Sequence, residues 1–454
     1  MLAAFHLVLT AAWMGGAAPP VVVTGDSVRI DLQMIDTHDP PEFVLQEVAL
    51  DGPWVGPPAL LDESNAGDYQ LMFADSRTNV PFFSQGFDAP PPISAVSRVR
   101  AVSLRGPRPR LDSMVVSIRR RRPDNVGFTD AWTESISLVS LPSPPPPPET
   151  TTLAANGSPG QQLDLLFLSE GYGSKGRAQF EADARRILAL ILAVEPFKTR
   201  RHKISARTLF LGGNGTGVTG ERPGITVDTP LKARYGCKGV ERNLCAPMDI
   251  VRNAARGVAY DLAVVITDSR RYGGSGFYNG YAVIPANSAS VQYLAVHEFA
   301  HVLAGVADEY FSLAPPCPTN STIVEPWEPN LTATLSTLKW RHLIRDGVPI
   351  PTPWPKLEYD EADRAFVQDY FGLRAEGAPE EAVDALISSR VPATRRILES
   401  ARYHDAVGAF EGAGGRSCGL YRPEADCTMF TLIPDHFCRV CTEALAAAID
   451  RYAP

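Results

Sequence analysis

From residue 21 to about residue 140, apolar and polar positions alternate over short runs, clearest at residues 28–34, 42–49, 69–73 and 114–118. A two-residue period gives a strand one apolar and one polar face. Gly, Pro, Asn and Asp gather between these runs, where turns are needed. Such a series predicts an all-β sandwich. Residues 119–122 are four arginines before Pro123 and fit a solvated strand end. Residues 141–143 lead into five prolines, 144–148, which predict an extended polyproline spacer. Past the spacer the pattern changes. Residues 163–168 are apolar apart from Asp164, as suits a strand covered on both faces. Residues 180–194 have helical spacing, with Phe180, Ala184, Ile187, Leu188, Ile191 and Leu192 near one face. Residues 206–211, 262–267 and 280–286 follow as strands, and 292–306 as a helix. Strands alternating with helices predict an α/β region.

A chain of 454 residues has room for more than one domain. The expected division is a leader at 1–18, a β-sandwich accessory domain at 19–140, the proline-rich linker at 141–150 and a catalytic domain at 151–454. The leader rests on apolar residues 2–14 followed by small residues up to Ala18, the marks of a cleaved secretory signal. It predicts a secreted or periplasmic protein, in which disulfides can persist. No later stretch resembles a membrane span. Net charge is -8, which gives no electrostatic case for a nucleic-acid partner. The glycine-rich run at 272–280 is no dinucleotide loop, because its glycine spacing is wrong and a strand follows it instead of a helix.

The chemistry sits in His297-Glu298-Phe299-Ala300-His301. Residues four apart share a helix face, so both histidines can reach one metal ion. Glu298 lies about 100° round the helix, within reach of a metal-bound water. Chance alone gives about 0.01 such matches in a chain of this composition. A catalytic zinc takes three protein ligands and keeps one position open. Gly305 can break the helix and swing Ala307-Asp308-Glu309-Tyr310 back toward the metal. Asp308 is the expected third ligand, with Glu309 as the alternative; the pair could also orient the histidines without binding. Tyr310 suits either oxyanion assistance or plain packing.

The motif departs from the metzincin pattern by one extra residue before the glycine and an acid in place of the third histidine. This variant, HEFAHVLAGVADEY, resembles the IgA peptidase M64 family of metallopeptidases. Other stretches resemble it too: LSEGY at 168–172, EPFK at 195–198, GGSGFYNGYAV at 273–283, KWRHLI from Lys339 and FCRVC near the end. DGPW from Asp51 and FFSQGF from Phe82 extend the likeness to the β-rich leading region. The resemblance implies an α/β metzincin-like zinc peptidase domain, a mixed sheet with an active-site helix, preceded by an all-β sandwich domain. It implies zinc held by His297, His301 and Asp308, with Glu298 as general base and a methionine turn around Met429. The cofactor is then Zn2+ and the partner a protein or peptide substrate. IgA itself does not transfer as the substrate.

On that reading Glu298 takes a proton from zinc-bound water and passes it to the leaving amine. The strand at 280–286 is expected to form the upper cleft rim and to bind substrate by strand addition. Two other readings stay open: a catalytically silent zinc-containing binding module, and a zinc hydrolase of a non-peptide bond. Cys237 and Cys245 are a candidate disulfide. Cys418, Cys427, Cys438 and Cys441 are expected to form one or two disulfides, with a four-cysteine metal site as the alternative. Cys317 is then left over.

Overall fold

The computed structural model describes residues 21–94, 96–222, 224–311, 323–432 and 435–454. The expected leader and Cys317 lie outside them. Seven antiparallel strands come first: β1 (Val23–Ile35), β2 (Glu42–Pro53), β3 (Tyr69–Asp75), β4 (Pro81–Phe87), β5 (Val99–Pro109), β6 (Ser113–Arg121) and β7 (Phe128–Ser137). They form two sheets, β2-β1-β5 and β4-β3-β6-β7. Val28, Ile30, Leu32 and Met34 of β1 share a core with Leu71, Phe73, Val116 and Ile118 of the other sheet. That is the two-residue period at work. The opposite face of β1 is also covered, and there Arg29 pairs with Asp31, Glu47 and Asp51. Arg119, Arg120 and Arg121 end β6 and Arg122 follows it; they pair with Asp130, Asp39 and Asp124 or with backbone carbonyls.

The second region holds β8 (Thr150–Ala154), β9 (Leu163–Glu170), α1 (Arg177–Leu192), α2 (Phe197–Arg200), β10 (Ile204–Leu209), β11 (Arg234–Tyr235), β12 (Leu244–Cys245), α3 (Met248–Ala254), β13 (Leu262–Thr267), β14 (Ser275–Gly276), β15 (Tyr281–Pro285) and α4 (Val291–Ala304). After them come α5 (Lys356–Ala375), α6 (Glu380–Glu399), β16 (Phe410–Ala413), β17 (Arg416–Arg422) and α7 (Arg439–Tyr452). The main sheet runs β14-β15-β13-β9-β10-β8. Its four inner strands are parallel and its two edge strands antiparallel. Strands buried on both faces need continuous apolar sequence, and β9, β13 and β15 have it. Leu163, Leu165 and Phe167 of β9 face α1 and α4. Leu166 and Leu168 face away and join the core of the N-terminal strands.

The two regions therefore share one continuous apolar cluster. Polar ties reinforce it: Arg105 donates to the Tyr260 carbonyl at 3.1 Å, and Asn279 donates to the Gly86 carbonyl at 2.7 Å. No helix among the described residues is long and apolar enough to cross a membrane.

Candidate active site

Helix α4 is buried along most of its length and carries both histidines one turn apart. It ends at Gly305, which has φ +60° and donates its N–H to the His301 carbonyl at 3.0 Å. A Cβ at Gly305 would lie 2.4 Å from the Trp327 ring. A left-handed backbone and no room for a side chain both require glycine here. The chain then reverses and returns Asp308 to the helix. Asp308 Oδ1 lies 3.1 Å from His297 Nε2 and 3.3 Å from His301 Nε2, and the two Nε2 atoms are 3.2 Å apart.

The far side of each ring is held as well. His297 Nδ1 sits 3.1 Å from the Thr428 carbonyl and 3.1 Å from the Tyr293 hydroxyl. His301 Nδ1 sits 2.6 Å from the Val306 carbonyl. A carbonyl only accepts, so each Nδ1 is assigned the proton and each Nε2 a lone pair directed at Asp308. Asp308 Oδ1 is buried and receives no hydrogen bond of acceptable geometry. Three lone-pair atoms so close together repel unless a cation lies between them. A tetrahedral ion with bonds of ~2.0–2.1 Å spaces its ligand atoms by ~3.3 Å. The residues present therefore fit a zinc-sized ion.

Without such an ion, a proton takes its part. Burial disfavours a charged His301, but Asp308, Glu298 and the Val306 carbonyl outweigh it and raise the imidazole to about 9. Burial likewise opposes a charged Asp308, yet the two histidines hold its carboxyl well below the usual range.

Glu298 is buried, and its carboxylate lies within 4.8 Å of the ligand atoms of both histidines. Burial raises its carboxyl, against the lowering pull of His297 and His301. Glu309 faces elsewhere. Its Oε1 accepts from Asn330 at 2.9 Å and lies 3.5 Å from Cys441 Sγ. Of the acidic pair, only Asp308 meets the histidines.

The glycine-rich run forms one wall of the site. A Cβ on Gly274 would lie 2.8 Å from Glu298 Oε1, and one on Gly276 would lie 2.2 Å from the Glu298 carbonyl oxygen. These glycines let β14 lie directly against α4. This corrects the expected rim. Strand β15 is fully buried and already paired, with β13 on one side and β14 on the other. It has no edge to offer a substrate; the sheet edge beside the histidines belongs to β14.

Arg242 had no local signal in the sequence, whereas Tyr310 and Met429 did. Arg242 donates to the Tyr310 hydroxyl at 3.0 Å, and the Tyr310 ring stacks toward His297 at 19° between planes. Residues 427–430 form a turn in which Met429 is fully buried and its carbonyl accepts the Glu309 N–H at 2.7 Å. The cleft is lined by Gly276, His301, Asp308 and Tyr310, with Trp327 and Glu328 on one flank and Arg242 and Ser275 on the other. An apolar pocket adjoins it, lined by Tyr272, Tyr293, Tyr310, Phe366, Tyr370 and Ile387.

Cys237 and Cys245 form a disulfide, as their spacing allowed. The expected disulfides among the later cysteines do not form as predicted. Cys418 is disulfide-bonded, but Cys427, Cys438 and Cys441 are free and buried. Their sulfurs surround a carboxylate rather than pairing, and Cys418 takes no part in that cluster.

Compared with known families, residues 151–449 match the sequence model of the family described as IgA Peptidase M64. No curated protein matches the chain.

Proposed function

Because the chain belongs to the IgA peptidase M64 family, we propose that it is a zinc-dependent endopeptidase of metzincin-like build. The family makes it a peptidase, with protein or peptide substrates. The observation that carries the zinc assignment is the convergence of His297 Nε2, His301 Nε2 and Asp308 Oδ1 at 3.1–3.3 Å, with both Nδ1 atoms engaged elsewhere. These three residues would hold the ion, and the Gly305 reversal and the 427–430 turn support the metzincin-like arrangement.

A zinc ion held there would supply Lewis acidity to the scissile carbonyl and to a water molecule. Glu298 accepts the proton of that water and later delivers it to the leaving amine. Its burial beside Gly274 leaves a basic carboxylate with little room to swing away. Tyr310, fixed by Arg242, donates its hydroxyl to the developing oxyanion. The aromatic pocket beside the cleft takes an apolar side chain next to the cleaved bond. Export remains part of this proposal, and the Cys237–Cys245 disulfide supports it.

The test is digestion of a diverse peptide library, read by mass spectrometry, with Glu298→Gln as the control. The wild type should cut beside apolar residues. Glu298→Gln should retain zinc and lose roughly 10²–10⁴ in turnover. Equal cleavage by the variant would exclude Glu298 as the base, and no cleavage by zinc-loaded wild type would favour a binding module.

A further inference from the structure

We propose that Glu309, Cys427, Cys438 and Cys441 form a second metal site, which takes a structural zinc ion. All four residues are buried, and their ligand atoms lie within 4.8 Å of one another. Glu309 Oε1 is 3.5 Å from Cys441 Sγ and 3.8 Å from Cys438 Sγ. Glu309 Oε2 is buried and has no hydrogen bond. Two of the three sulfurs accept backbone N–H groups. The Cys438 and Met429 amides direct their N–H groups at Cys427 Sγ from 3.2 and 3.4 Å, and the Cys441 amide directs its own at Cys438 Sγ from 3.4 Å. Backbone amides stabilise anionic sulfur more than thiol. The buried guanidinium of Arg422 adds positive field on Glu309 and Cys427.

The donor set selects the ion. Three thiolates and one carboxylate in a dry pocket suit four-coordinate zinc, and exclude magnesium and calcium, which require oxygen-rich shells. A disulfide is the competing use of these cysteines. It would pair two sulfurs, leave the third unpaired and give the converging Glu309 carboxylate no partner. In an oxidising compartment, ligation is also what keeps three adjacent cysteines reduced.

The site joins three segments: the chain just after α4, the 427–430 turn and the start of α7. Glu309 adjoins Asp308, and Cys427 lies one residue before Thr428, whose carbonyl meets His297. An ion here braces both the third candidate ligand and the back of a histidine in the active site. Its role is structural, and it holds no open position for substrate.

The experiment uses the full chain loaded with zinc alone, in wild-type form and as the His297→Ala/His301→Ala double variant. Elemental analysis and native mass spectrometry should find two zinc ions in the wild type and one in the double variant. Three thiols should react with alkylating reagent only after denaturation in chelator. Cobalt in the double variant should give the intense near-ultraviolet charge-transfer band of thiolate ligation. Adding Cys438→Ser and Cys441→Ser should remove the last ion; if that protein does not fold, the cobalt spectrum decides. A double variant that holds no metal, a cobalt complex without the thiolate band, or fewer than three thiols after denaturation would each overturn the proposal.

Discussion

Gly276→Ala tests whether β14 is a working wall of the site or an incidental loop. The added methyl would sit 2.2 Å from the Glu298 carbonyl oxygen and 3.0 Å from His301 Cβ, where real contacts essentially never fall below 3.0 Å. Both neighbours belong to α4, a helix packed into the core, so it is the two-residue strand that yields. Relief requires β14 to move off the helix by about 1 Å, and such overpacking costs about 1–3 kcal/mol. The functional penalty is larger, since a ~1 Å displacement of a positioning element lowers rate by roughly 10²-fold. Denaturant unfolding reads the first quantity, and kcat/KM on a cleaved peptide at matched zinc occupancy reads the second. Gly372→Ala is the control, because its Cβ would meet nothing within 4 Å. Wild-type stability and turnover in Gly276→Ala would refute the account of β14.

Asp308→Asn removes the charge that faces both histidines, and should weaken zinc binding by about 100-fold or more in chelator competition; unchanged affinity would eliminate Asp308 as a ligand. Tyr310→Phe should lower kcat by roughly 10²-fold with KM little altered; an effect on KM alone would show a packing role. Asp88 lies near Asp68 and Glu328, and burial, then the Asp68 charge, push its carboxyl up to about 8 from an ordinary 3.8. The folded protein thus keeps a proton there that the unfolded chain releases. The associated stability is full below about pH 4 and is lost as pH rises through about 8. Asp88→Asn should flatten that decline in denaturant midpoints, and parallel wild-type and variant curves would refute it.

Much of the fold was legible because its signals are local. Alternation marked β1, β3 and β6; unbroken apolar runs marked β9 and β13; and helical spacing marked α1 and α4. Helix α5 has no clean apolar period because its buried stripe, Tyr359, Asp363, Val367 and Tyr370, contains an acid. Arg390 of α6 pairs with Asp363, and Pro392 inside α6 disguises that helix in turn. Neither clue has meaning until the two helices are packed together.

The active site divides the same way. Sequence alone determined that His297 and His301 share a face with Glu298 beside them, because the pitch of a helix fixes the relation of residues one and four apart. The choice between Asp308 and Glu309 depended on how the chain leaves Gly305, and that path is set by packing against Trp327 and the 427–430 turn. The rim depended on which strand took the sheet edge, and the cysteines on which segments met in the core. Arg242 reaches Tyr310 across 68 residues of sequence. Contacts of that kind are decided by chain reversals and shared burial, so only the tertiary structure could assign them.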